Sequence, residues 1–126
     1  MKKYLFIILI ITSSTICYPI LPENNSNLNY THVLFEWTQI EGATSYQLQI
    51  SGNNSFSSIL RDVNSESLIY IEKETLDWNS TYFWRVKGVS DAINMPWSDV
   101  FSFTTSEKLS EASSVIYNNE EYAEGL

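Results

Sequence analysis

Across residues 18–105 the dominant spacing of apolar positions is two. In residues 32–37 (HVLFEW), Val33, Phe35 and Trp37 fall on one face, and Leu34 and Glu36 on the other. In residues 46–51, Tyr46, Leu48 and Ile50 alternate with Gln47, Gln49 and Ser51. The longest run, residues 82–89 (YFWRVKGV), sets Tyr82, Trp84, Val86 and Gly88 against Phe83, Arg85, Lys87 and Val89. Phe101 and Phe103 alternate with Ser102 and Thr104. Successive side chains of a strand point to opposite faces, so each run predicts a half-buried strand. The β-branched and aromatic residues that fill these runs suit a pleated surface.

Turn chemistry separates the runs. Residues 40–43 (IEGA), 51–55 (SGNNS), 77–80 (DWNS) and 90–98 bring in Gly, Asn, Asp, Ser and Pro. These residues supply positive φ angles and local side-chain bonds. Two weaker strands fit at 59–63 and 67–71. The register of the second stays open: Leu68 with Tyr70, or Ile69 with Ile71, would face inward, and a slip of one inverts the set. An opening strand at 20–28 is confined to an edge or a bent path by Pro19 and Pro22. Seven short strands without helical segments predict an all-β, seven-stranded antiparallel sandwich of immunoglobulin type. A buried aromatic covers ~150–250 Å². A domain this small needs several such anchors to offset chain entropy. Trp37, Tyr46, Tyr82, Trp84, Phe101 and Phe103 are the candidates.

The ends differ from the middle. Lys2 and Lys3, the apolar run YLFIILII at 4–11 and the small residues after it predict a secretory signal peptide at 1–17. The run is too short to span a bilayer, which takes ~20 apolar residues. Cleavage is expected to leave a mature chain starting between Thr15 and Pro19. Cys17 also suggests lipid attachment, although Ile16 stands where that pattern takes a small residue. Residues 106–126 are rich in Ser, Glu and Ala, as in an acidic linker, yet Val115, Ile116, Tyr117 and Tyr122 interrupt them. The tail therefore also reads as the start of a missing module.

The 126 residues carry 7 Lys+Arg against 15 Asp+Glu, a formal charge of −8. The leader holds two of the bases and no acid, which leaves five bases against fifteen acids, or −10, on the mature chain. Such a charge argues against nucleic acid, whose phosphates are bound by clustered Lys and Arg, and against anionic lipid. A membrane enters only through lipidation of Cys17. One cysteine excludes an internal disulfide framework and a Cys-based zinc site.

Reactive constellations are sparse. A Ser/His/Asp triad needs a histidine, and His32, the single one, opens a strand. Gly42, Gly52, Gly88 and Gly125 are too scattered for a phosphate loop. Residues 77–82 begin like a calcium loop, but Tyr82 occupies the position that takes Gly. Glu72 and Glu74 lie two apart, whereas a glycosidase pair also needs a sugar cleft between its carboxyls. The expectation is no catalytic, cofactor-binding or metal-binding residue, no cofactor and no enzyme activity. Phe83, beside Arg85 and Lys87, and the loop residues Trp78 and Trp97 are candidate exposed aromatics for a sugar or a neighbouring domain. In the plainer reading, which we favour, Trp97 folds over the sheet edge and Phe83 pairs across strands. Asn24, Asn29, Asn53 and Asn79 each open an Asn-x-Ser/Thr triplet in a chain rich in both residues.

The ordered set resembles a fibronectin type III domain of the bacterial secreted kind over about residues 19–105. It comprises Trp37, GATSYQLQI at 42–50, Leu76 six residues before Tyr82, TYFWRVKGV at 81–89, Pro96-Trp97-Ser98 and FSFTT at 101–105. The resemblance implies that Trp37 packs between the sheets and that Leu76 and Tyr82 form a tyrosine corner. In such a corner the ring fills the core edge while its hydroxyl reaches a backbone group. The family usually has Pro-Gly inside that corner, where this chain has Trp78-Asn79. The loop at 90–96 (SDAINMP) holds no Arg-Gly-Asp, so integrin binding is not implied. The run YNNEEYAEGL at 117–126 is faintly similar to the approach to secreted arylsulfotransferase-type propellers.

Three readings of function follow. The first is a secreted, non-catalytic accessory domain at 18–105, a spacer or protein-interaction module whose partner is a neighbouring domain or extracellular protein. The second is the amino-terminal piece of a larger secreted enzyme with its active site beyond residue 126. The third is a carbohydrate-binding module with a glycan partner.

Overall fold

The computed structural model describes residues 18–109, which form strands, turns and loops. The expected leader with Cys17, and the tail from residue 110, lie outside the described residues. Eight strands form in order: β1 (Pro19–Leu21), β2 (Ser26–Leu28), β3 (Val33–Trp37), β4 (Ser45–Ser51), β5 (Ile59–Ser65), β6 (Ile69–Glu72), β7 (Thr81–Val89) and β8 (Phe101–Thr105). They make two sheets, β1-β3-β6 and β2-β8-β7-β4-β5. This is the expected all-β sandwich.

Parity builds the interior. Val33, Phe35 and Trp37 from one sheet meet Tyr46, Leu48, Ile50, Tyr82, Trp84, Val86 and Phe103 from the other, and all are buried. The rings meet mostly edge-on or tilted. Phe35 lies 5.2 Å from Trp84 and 5.8 Å from Phe103, Tyr82 5.6 Å from Phe103, and Trp37 5.9 Å from Tyr46. Such offset geometries suit the ring quadrupole. Phe101 stays half-buried, with its ring nearly perpendicular to that of Trp84 at 5.8 Å.

The opening stretch is two strands, not one, and they join different sheets. Glu23 O accepts from Ser26 N across a turn in which Asn25 takes φ 62°. Asn tolerates that left-handed conformation. The turn carries the chain from β3 across to β8, where β2 runs parallel.

The register of β6 is settled for Leu68 and Tyr70 inward, because Ile69 pairs with Glu36 and Ile71 with Leu34 on the outer face. Gln49 and Ser51 are buried although they occupy the outward parity of β4. The Gln49 amide bonds Asp62 and Arg85, and Ser51 Oγ donates to Ser58 O in the following loop.

The tyrosine corner is present. Leu76 and Tyr82 are buried, and Tyr82 Oη accepts from Asp77 N at 2.8 Å. Asn79 adopts φ 51°, a left-handed conformation that suits Gly or Asn, and its N–H donates to Ser106 O. A similar device repeats at Tyr46, whose hydroxyl accepts from Ile40 N at 3.0 Å.

Gly88 closes one end of the core. A Cβ there would meet Met95 Sδ at 2.5 Å, and Ala43 Cβ and Ile40 Cδ1 at 3.1 Å. The Met95 thioether can turn aside, but Ala43 and Ile40 crowd the position as well. Gly88→Ala is therefore expected to cost about 1–3 kcal/mol by overpacking. The denaturant midpoint should fall with the slope unchanged; an unshifted midpoint would contradict the packing of the 90–95 loop on β7.

Candidate functional site

The outer face of the five-stranded sheet gathers most of the singled-out residues. Arg85 on β7 faces Gln49 on β4, and Lys87 faces Gln47. Arg85 donates from Nε and Nη2 to Gln49 Oε1 at 3.0 and 2.8 Å. The amides of Gln47 and Gln49 donate in turn to the two carboxylate oxygens of Asp62 on β5, at 2.8 and 3.1 Å. Asp62 thus balances the guanidinium through a glutamine relay.

Rings close this layer. The Arg85 guanidinium lies 4.1 Å from the centroid of Phe56 and 4.3 Å from that of Trp97, and Lys87 Nζ lies 4.7 Å from Trp97. Lys87, Trp97, Arg85 and Phe56 form a run of alternating cations and rings, each contact favoured by the negative ring face. Trp97 is placed by pairing with Lys87, while the next residue, Ser98, exchanges bonds with Val86 through its N–H and Oγ. Trp97 therefore does fold back over β7. Phe83 is half-buried opposite Ser51 and Ser102. Trp78 is half-buried in the corner loop, so the structure does not bring the three aromatics into one platform. Phe56 was not singled out by sequence reasoning. It is buried at φ 57° within a loop organised by Asn53 Oδ1, which accepts from Ser55 Oγ and Ser57 N.

Two concavities flank these faces. A groove of about 390 Å³ runs beneath the 90–95 loop, lined by Gln47, Asn64, Lys87, Asp91, Asn94 and Met95 among others. An apolar hollow of about 320 Å³ lies where β1 hands over to β2, between Leu21, Pro22, Leu28, Tyr30 and Leu34.

Glu72 and Glu74 do come together, on Arg61. Glu72, 1% exposed, takes Arg61 Nε at 2.9 Å and Tyr70 Oη at 3.0 Å on Oε2. Its Oε1 accepts the N–H groups of Lys73, Glu74 and Thr75 at 3.0, 2.8 and 3.1 Å. Glu74 is exposed and holds Arg61 Nη2 at 3.1 Å. Burial pushes the Glu72 carboxyl up. The N–H groups of Glu74 and Thr75, with Arg61 and Tyr70, outweigh burial and bring it down to about 2. The bond to Glu72 and its charge raise Arg61, and burial followed by Glu72 raises Tyr70. Arg61 lies on β5 and Glu72 on β6, so the pair joins edge strands of opposite sheets.

His32 is exposed just ahead of β3. Among the described residues no group of three His, Cys, Asp or Glu is placed to hold a metal ion. Asn29 and Asn79 are exposed; Asn24 Oδ1 accepts from Ser102 N, and Asn53 Nδ2 donates to Ser57 Oγ.

This topology, with its tyrosine corner and its Trp37 between the layers, is that of a fibronectin type III domain. No family sequence profile and no curated protein matches the chain. Solved structures do. The sixth fibronectin type III domain of human fibronectin type III domain containing protein 3 matches with a TM-score of 0.58 at 20% identity, over 79% of this chain and 90% of that one. An Fn3-like protein from Clostridium thermocellum matches with 0.53 at 19%, over 70% and 92%. A β-1,2-glucanase from Parabacteroides distasonis matches with 0.50 at 19%, over 70% of this chain and 12% of the enzyme. At these identities the likeness establishes a shared fold.

Proposed function

We propose that residues 18–105 are a secreted, non-catalytic accessory domain that acts as a spacer or protein-interaction module. The observation that carries this reading is the use to which the polar groups are put. Glu72, the buried carboxylate of the Glu72/Glu74 pair, has both oxygens occupied by frame contacts. Arg85 is held by Gln49 and by two rings. Rings fill the space between the sheets, where a sandwich enzyme would need a cleft. Trp97 already carries two cations, which favours a protein or domain partner over a stacked sugar.

Two measurements test the reading. Mass spectrometry of protein recovered from the medium of an exporting host should show a chain starting between Thr15 and Pro19; an intact Met1 contradicts export. Titration with soluble oligosaccharides should leave tryptophan fluorescence unchanged, and a saturable change would move the assignment to a carbohydrate-binding module.

The glucanase match favours a second reading, because there the same fold makes up 12% of an enzyme. This domain would then be the amino-terminal piece of a larger secreted enzyme of arylsulfotransferase type, with its active site beyond residue 126. A long open frame in the coding DNA downstream of residue 126 supports that reading, and an immediate stop codon overturns it.

A further inference from the structure

The outward faces of the two sheets differ in kind. The five-stranded sheet presents Gln47, Asp62, Arg85 and Lys87, with Phe56 and Trp97 stacked on Arg85 and Trp97 also on Lys87. The three-stranded sheet presents aliphatic side chains instead. Ile20, Leu34, Ile69 and Ile71 are each between 38% and 48% exposed, on a face of an antiparallel sheet that usually turns polar residues to water. Leu34 stands directly opposite Ile71, and Ile69 opposite Glu36. Tyr18, just ahead of β1, is 60% exposed. Clustering of this kind marks an interaction surface more than single exposed aliphatics do.

Two charges bracket the patch. Glu36 sits at the Ile69 end. Lys73 is exposed one residue beyond the Val33–Glu72 pair, at the other end. Neither makes a salt bridge among the described residues. Four residues of strand separate these ends, roughly 13 Å at about 3.3 Å per residue. The face is therefore acidic at one end, apolar in the middle and basic at the other.

Such a pattern is complementary to itself in one orientation. A two-fold axis running across the strands, in the plane between two faces, sets the Glu36 end of one copy against the Lys73 end of the other, twice. Leu34 and Ile71 then meet at the centre. An axis along the strands would oppose Glu36 to Glu36 and Lys73 to Lys73, which like-charge repulsion disfavours. In a two-fold interface, a contact of one residue with a second is repeated in reverse.

We propose that the β1-β3-β6 face is an isologous interface for a second copy of this chain, packed antiparallel on Leu34 and Ile71 and bordered by two Glu36–Lys73 pairs. The inference deepens the interaction-module reading by naming the partner, and it rests on that reading. The apolar centre is small, and the mature chain's five bases against fifteen acids, −10, are repulsive between copies. The dimer is accordingly weak and concentration-dependent, at the low end of interface sizes.

Sedimentation equilibrium of the mature chain, without residues 1–17, in a series reaching high micromolar concentration, tests it. The expected mass climbs from one chain to two and levels there. The double substitution Ile69→Thr/Ile71→Thr keeps the β-branched shape and should weaken association by roughly tenfold or more. Glu36→Lys and Lys73→Glu should each weaken it severalfold, and the two together should restore it, because each exchanged charge again meets its opposite. Circular dichroism of each variant checks that the sandwich is intact. A single-chain mass throughout overturns the proposal, as does growth beyond two chains or association indifferent to these substitutions. The glycan and mass-spectrometric tests of the module reading are independent of this outcome.

Discussion

Trp84→Ala lowers the stability of the sandwich by about 3–5 kcal/mol, the range for deleting a large ring from a packed core. Trp84 is fully buried at the middle of β7, the longest strand. Its ring lies edge-on to Phe35 from the opposite sheet and to Phe101 from β8. Removing it takes away a contact between the layers and leaves a void bounded by rings that are themselves anchored elsewhere: Phe35 also packs on Phe103 and Tyr70. The surroundings therefore collapse little, and the cost falls in the upper part of that range. A domain of this size typically holds only about 5–15 kcal/mol in total. The melting temperature should fall by at least about 12 °C. Trp84→Phe should be far milder, since it keeps most of the ring packing and the indole N–H has no protein acceptor to lose. Phe83→Ala, one residue along on the outward parity, should also cost clearly less. Thermal melts of the three variants decide the matter. An unchanged melt for Trp84→Ala, or a larger loss for Phe83→Ala, would mean that the faces of β7 are reversed.

That ranking of Trp84 above Phe83 is legible in the sequence, because in YFWRVKGV Phe83 shares its parity with the charges Arg85 and Lys87, whereas Trp84 shares its parity with Tyr82 and Val86. The same logic places Trp37, Tyr46, Tyr82 and Phe103. It fails at β6, where both parities are apolar: Leu68 and Tyr70 compete with Ile69 and Ile71, and only the pairing with β3 decides. The exposed aliphatic face is hidden for the same reason. The inward Glu72 runs against the pattern altogether. What makes it tolerable is a strand 11 residues earlier, which brings Arg61, and the turn after β6, which offers three N–H groups. Neither shows in a periodicity. Phe56 was missed because it lies in a loop, where spacing carries no information. Its one available signal was an aromatic among four serines and two asparagines in residues 51–58. The corner loop is different: Asn79 stands where the corner of the similar fibronectin type III domains usually has glycine, and Asn tolerates the positive φ that the loop requires.

Acid should loosen the edge that joins the two sheets. In the folded protein the Glu72 carboxyl titrates near 2, against an ordinary value of 4.5. The folded state thus holds this proton less tightly than the unfolded chain does, and unfolding takes up a proton between those values. The resulting stabilisation is fully present above about pH 4.5 and is lost as the pH falls towards 2. A displacement of this size corresponds to on the order of 3 kcal/mol. The measurement is the difference between the wild type and Glu72→Gln, which isolates this one group. Glutamine keeps the shape and can still accept N–H bonds, but it surrenders the charge that Arg61 and the turn are arranged around. At neutral pH the variant should be less stable by up to about that amount, in line with the loss on breaking a buried pair. Denaturation curves at successive pH values should then bring wild type and variant together as the pH drops through the window. Curves that stay parallel from pH 7 to 2 would mean that Glu72 is not the anionic clamp its five bonds describe. The consequence extends to the outer surface, because β6, which Glu72 pins to β5 through Arg61, is also the strand that carries Ile69 and Ile71 outward. If the face of β1-β3-β6 binds a second copy, Glu72→Gln should weaken that association without altering any residue of the patch.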